Sequence, residues 1–109
     1  MNLELPICLL DWIDKDKLDW SQLSRNPNAV ALLKENPLKI DWYYLSMNAN
    51  DRAMDLLFKN PAKIYLSQLS ENSHPKALEL LEKNPDKINW YALSKNPLIF
   101  RVQPKGAKK

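Results

Sequence analysis

The chain repeats itself. Ile40, Ile64 and Ile88 stand 24 residues apart, each directly after a lysine (Lys39, Lys63, Lys87), and Lys17-Leu18 is the same dipeptide one unit earlier. Four units can be written under one another: LDWSQLSRNPNAVALLKENPLK, IDWYYLSMNANDRAMDLLFKNPAK, IYLSQLSENSHPKALELLEKNPDK and the shorter INWYALSKNPLIF. A unit this short cannot bury an apolar face by itself. It becomes stable only by stacking on its neighbours, so a repeat of this period constrains the fold more than any single motif does. The first full unit is two residues shorter than the next two. The difference falls where Ser-Arg-Asn-Pro becomes Ser-Met-Asn-Ala-Asn-Asp, which reads as a loop of variable length.

Each unit divides into two short helices. The first is predicted to begin at Asp19, Asp41 or Asn89, side chains that accept an orphan backbone N–H. It runs through Trp20–Leu23, Trp42–Leu45 or Trp90–Leu93, where Trp and Leu three apart share a face. With about two turns, part of it is expected to be 3₁₀. The second helix is predicted to begin at Asn26-Pro27, Asn50-Asp51 or His74-Pro75. Its apolar positions follow the i, i+3, i+4 pattern of an amphipathic helix: Ala29, Leu32, Leu33; Ala53, Leu56, Leu57; Ala77, Leu80, Leu81. The alanine column marks the closest approach of neighbouring helices. Asp55 with Lys59 and Glu79 with Lys83 are expected to pair along the helix surface. Asn36-Pro37, Asn60-Pro61 and Asn84-Pro85 end the helix, because proline cannot continue it and disfavours helix at the residue before.

The expected fold is therefore all-α, a short α-solenoid of about four two-helix repeats. Residues 1–17 read as an N-terminal capping half-repeat, with Pro6, Ile7, Leu10 and Ile13 on a capping helix. Repeats follow at 18–39, 40–63 and 64–87. A truncated repeat and C-terminal cap occupy 88–103, where Ile99, Phe100 and Val102 are expected to close the last unit, and 104–109 reads as a disordered basic tail. One glycine and eight prolines agree with this plan: glycine-rich phosphate loops and tight hairpins need positive φ that the body of the chain does not supply.

The string K-I-D-W-x-x-L-S-x-N-P-x-A-x-x-L-L-x-x-N-P, carried here by Lys39–Trp42, Leu23–Pro27 and Leu80–Pro85, resembles tandem repeats of giant-virus and algal-virus proteins. The similarity covers roughly residues 17–97. Tyr65-Leu66 stands where the pattern has Asp-Trp, and Asn50-Asp51 where it has Asn-Pro. The resemblance implies a viral protein with interaction, virion-associated or capsid-associated roles, and brings no catalytic residues. A fainter similarity to leucine-rich variant repeats, which alternate an α-helix with a 3₁₀ helix, implies a right-handed stack.

Chemistry-bearing residues are few. Cys8 and His74 are the lone cysteine and histidine, 66 positions apart. A Cys–His nucleophile or a zinc site would need them, or carboxylates, to converge. His74 reads instead as a helix cap and Cys8 as a buried apolar filler. The expectation is no enzyme, no cofactor, no metal and no small-molecule substrate. A single cysteine fits an intracellular, reducing compartment, host cytoplasm or virion for a viral protein. No apolar run approaches the roughly 18 residues of a membrane span.

That leaves surfaces. Trp20, Trp42 and Trp90 recur at one position and are expected in the core, with Trp12 beside them. Tyr43 and Tyr44 stand where other units carry Ser21-Gln22, Ser67-Gln68 and Tyr91-Ala92, and Phe58 where others carry Lys34 and Glu82; these positions vary between units, and the three aromatics form the candidate protein interface. Lys17, Lys39, Lys63 and Lys87 form a column spaced about 10 Å apart if units stack at the usual helix-packing distance. That column is either a contact for a phosphate backbone or a set of stems lying over the Trp or Ile below. A net charge of +3, which the three tail lysines alone could supply, argues against a strong nucleic-acid binder. The leading expectation is a protein–protein interaction or assembly module. Nucleic-acid binding through the lysine column and basic tail is the alternative, and self-association of terminal repeats a third.

Overall fold

In a computed structural model, described here for residues 7–103, the chain is helical, and the described residues contain no strand. Seven α-helices follow in order: α1 Trp20–Ser24, α2 Val30–Glu35, α3 Trp42–Leu45, α4 Asp51–Phe58, α5 Leu66–Leu69, α6 Pro75–Glu82 and α7 Trp90–Leu93. Short 3₁₀ turns precede α1 at Lys15–Lys17, lie between helices at Pro37–Lys39, Pro61–Lys63 and Pro85–Lys87, and follow α7 at Pro97–Ile99. The first helix of each unit is α, and in the three full units the 3₁₀ segment is the Pro-x-Lys that closes the unit.

The caps explain these limits. Asp19, Asp41 and Asn89 accept backbone N–H bonds at the starts of α1, α3 and α7. Asn50 and the His74 ring do the same for α4 and α6. At the other end, Asn36, Asn60 and Asn84 each donate a side-chain Nδ2–H back to the carbonyl four residues earlier, at 2.9 Å. That bond satisfies one of the carbonyls a helix end leaves orphaned. The following proline cannot extend the helix and sits first in the 3₁₀ turn instead.

Two local expectations are corrected. Asn26-Pro27 does not start a helix: α2 begins at Val30, and Asn26 Oδ1 accepts from Asn28 N in a turn. The two-residue length difference accordingly lies in the first turn of the second helix, since α4 and α6 each have 8 residues and α2 has 6. Asp55 meets Lys76 of the next unit at 4.0 Å, a contact between units where one along the helix was expected.

The core is one cluster running through every unit: Leu23, Val30, Leu33, Ile40, Leu45, Met54, Leu57, Leu69, Leu81 and Leu93, with the alanine column Ala29, Ala53 and Ala77 among them. Trp20 and Trp42 pack against its flank, half-buried.

The ends depart from the sequence reading. Within the described part of the expected capping half-repeat, residues 7–14 carry no helix, and Ile7, Leu10 and Cys8 are exposed. Pro6 and the tail 104–109 lie outside the described residues. Trp12 is 79% exposed and does not belong to the core. Trp90 is 64% exposed, unlike its counterparts Trp20 and Trp42. Phe100 at 79% and Val102 at 93% lie open to solvent, so they do not close the last unit. The reason is common to both ends: an apolar side chain in this repeat is buried by the adjacent unit, and here the described residues supply none.

Candidate interaction surface

Two rows of polar side chains join successive units. Ser24, Ser46 and Ser70, all buried, each donate their hydroxyl to the carbonyl four residues earlier. Each then accepts the first backbone N–H of the next unit's helix-capping residue: Asp41 N at 2.9 Å, Tyr65 N at 3.0 Å and Asn89 N at 3.0 Å. Asn48, Asn72 and Asn96, two residues after Ser46, Ser70 and Ser94, are buried as well. Asn48 Nδ2 donates to the Ser24 and Asn26 carbonyls of the preceding unit, at 3.0 and 3.1 Å. Asn72 Nδ2 donates to the Ser46 and Asn48 carbonyls at 3.0 Å each, and Asn96 Nδ2 to the Asn72 carbonyl at 2.9 Å. The Oδ1 atoms of the same residues accept N–H groups two residues ahead. A primary amide suits the position because it offers donors in one direction and an acceptor in the other. No buried side-chain nitrogen or oxygen among the described residues lacks a partner.

His74 adds a third link. Its Nδ1 accepts from Lys76 N at 3.1 Å, so the ring proton sits on Nε2, which donates to Asp51 Oδ1 of the preceding unit at 2.6 Å. The ring is thus a cap and an inter-unit bridge. Cys8 is far from this role, exposed in the N-terminal segment. No group of three or more His, Cys, Asp or Glu side chains able to hold a metal ion occurs among the described residues.

The lysine column is divided. Lys39 Nζ lies 5.1 Å from the Trp20 ring centroid and Lys63 Nζ 5.0 Å from that of Trp42, each lysine closing its unit and roofing the tryptophan that opens it. Such cation–π contacts hold the ammonium over the ring face while its outer side stays in water. Lys87 follows the unit in which Leu66 replaces tryptophan, and Lys17 precedes the first tryptophan; both are exposed.

The tyrosines gather. Tyr43 packs edge-on against Tyr44 at 5.2 Å and against Tyr65 of the next unit at 5.5 Å. Arg25 of the preceding unit lies 5.8 Å from the Tyr44 ring. Arg25, Tyr44, Tyr43 and Tyr65 therefore form one continuous strip across three units, with Tyr43 41% and Tyr65 49% exposed. Phe58, 37% exposed at the end of α4, belongs to neither ring pair. Tyr65 was missed because it was read only as a departure from Asp-Trp; its place next to Tyr43 follows from the register between units. Beyond α7, Lys95 stands 5.0 Å from the Tyr91 ring and 3.6 Å from Glu71.

No helix among the described residues is long and apolar enough to cross a membrane. Comparison with protein families, curated proteins and solved structures finds no match to this chain.

Proposed function

We propose that this chain is a non-enzymatic protein–protein interaction or assembly module, a short α-solenoid of about four units that offers partners a tyrosine-rich face. The observation that supports this is the Arg25–Tyr44–Tyr43–Tyr65 strip. Tyrosine and arginine are the residues most often found carrying binding energy at interfaces. Here they are half-exposed yet held in fixed ring contacts, so little side-chain freedom remains to be lost on binding. The core does not need them: the equivalent positions of another unit, Ser21 and Gln22, are polar, and the units are joined by Ser and Asn instead. The resemblance to viral repeats supports a place in virion or capsid assembly.

The test is capture of partners by the tagged chain from its native source, with and without nuclease. It is followed by affinity measurement of a recovered protein against purified Tyr43→Ala/Tyr65→Ala. Nuclease-resistant capture and at least a tenfold loss of affinity, with an unchanged helical spectrum, are expected. Recovery of nucleic acid alone, with every protein lost on digestion, would overturn the reading in favour of the lysine column.

A further inference from the structure

The two ends of the stack carry complementary halves of the inter-unit junction. At the C-terminal face, Ser94 donates its hydroxyl to the Trp90 carbonyl at 2.7 Å, as the other three serines do within their own helices. Those serines also accept an N–H from the following unit, and Ser94 has no such donor among the described residues. Trp90 occupies the position that Lys39 and Lys63 roof in earlier units, and it is exposed. At the N-terminal face, the residues that carry the corresponding donors, Asp19, Asn26 and Lys17, are exposed. These are the counterparts of Asp41 and Asn48, which within the chain reach the preceding unit, and of Lys39, which ends that unit and covers its Trp20.

We infer that the C-terminal face of one molecule docks on the N-terminal face of a second copy, head to tail, and continues the junction that joins units within the chain. In this contact Asp19 N–H donates to Ser94 Oγ, Asn26 Nδ2 to the Ser94 carbonyl, and Lys17 roofs Trp90. The inference is independent of the tyrosine strip, none of whose four side chains takes part in these bonds. The segment Ile7–Leu9 stands next to the N-terminal face, but a cavity of about 330 Å³ remains between it and Leu23, Asn26, Ala29 and Leu32. The incoming face takes the place of that segment. Because the two surfaces differ, the contact is heterologous, and each added copy leaves both kinds of end open.

The experiment is light scattering of the full chain from micromolar to millimolar concentration, with two variants. Trp90→Glu blocks the C-terminal face, and Lys17→Glu/Asn26→Asp blocks the N-terminal one. The wild type is expected to grow past the dimer as concentration rises. Each variant alone is expected to stay monomeric with a wild-type helical spectrum, and their equimolar mixture to form a dimer and stop, since each retains the face the other lacks. Ser94→Leu replaces Trp90→Glu should the latter unfold, because Ser94 bonds only within α7. A wild type that remains monomeric at millimolar concentration overturns the inference. So does assembly that both variants leave unchanged, or a mixture that stays monomeric.

Discussion

Replacing Asn72 with aspartate changes one NH₂ to an oxygen and nothing else in shape. Asn72 is fully buried, its Nδ2 donates to two carbonyls at 3.0 Å, and its Oδ1 accepts from His74 N at 2.9 Å. The substitution keeps the last bond and turns the other two into contacts between a carboxylate oxygen and two carbonyl oxygens. Losing two hydrogen bonds and leaving their acceptors buried costs about 1–3 kcal/mol each, and a buried unpaired charge costs about 3–5 kcal/mol when it cannot escape to water. The two bonds together come to about 2–6 kcal/mol and the charge, partly relieved by protonation, adds to that, so a total of at least about 3 kcal/mol is expected. With an m-value of about 1–3 kcal/mol/M for a small protein, the urea midpoint falls by at least about 1 M. Asn26→Asp is the internal control. Asn26 occupies the same place in its unit, is exposed, and its side chain makes only the turn bond, so its change stays within about 0.5 kcal/mol. The sign with pH is fixed: the carboxyl introduced at position 72 has a folded pKa raised above its unfolded value. The penalty is then smallest below the unfolded pKa and grows as pH rises toward the folded one. Equal urea midpoints for the two variants would refute the assignment of Asn72 to the junction.

Ser70→Ala is expected to cost about 1–2 kcal/mol, since Asn89 N loses its buried acceptor, while Ser94→Ala stays within about 0.5 kcal/mol; paired thermal melts check this. Lys63→Gln removes the roof over Trp42 at a cost of about 0.5–1 kcal/mol, and Lys87→Gln, which stands over no described ring, costs less than half of that in urea titrations. His74→Ala removes a helix cap together with the bond to Asp51 and is expected to cost about 1–2 kcal/mol, whereas Asp51→Asn, keeping an acceptor for Nε2–H, costs less than half as much.

The period, the caps and the apolar columns were legible because each is a local pattern with a direct physical cause. Trp20–Leu23 became α1 behind Asp19, and the helix ends at Asn60-Pro61 and Asn84-Pro85 stand where proline requires them. The junction was not legible. Asn48, Asn72 and Asn96 look in sequence like further capping or turn asparagines, and half of their chemistry is a turn bond; the other half depends on carbonyls 22 to 26 positions earlier. Stacking register decides those contacts, and composition carries no trace of it. The same blindness put Trp12, Trp90, Phe100 and Val102 inside, because an apolar residue shows that burial would be favourable and not whether a neighbour is present to provide it. Of the interface residues, Tyr43 and Tyr44 stood out against Ser21 and Gln22. Tyr65 and Arg25 became part of the same strip only once adjacent units were in place.

The central claim is that units are joined by backbone N–H groups delivered onto the serine of the unit before. Native-state amide hydrogen exchange read by NMR tests it most directly. In the Ser94→Leu variant, which cannot assemble end to end, the amides of Asp41, Tyr65 and Asn89 are expected to be strongly protected, and that of Asp19, which has no preceding serine among the described residues, to exchange at nearly the rate of a free amide. If Asp19 is protected as well as the other three, or those three exchange as fast as Asp19, the junction described here is not what holds the units together.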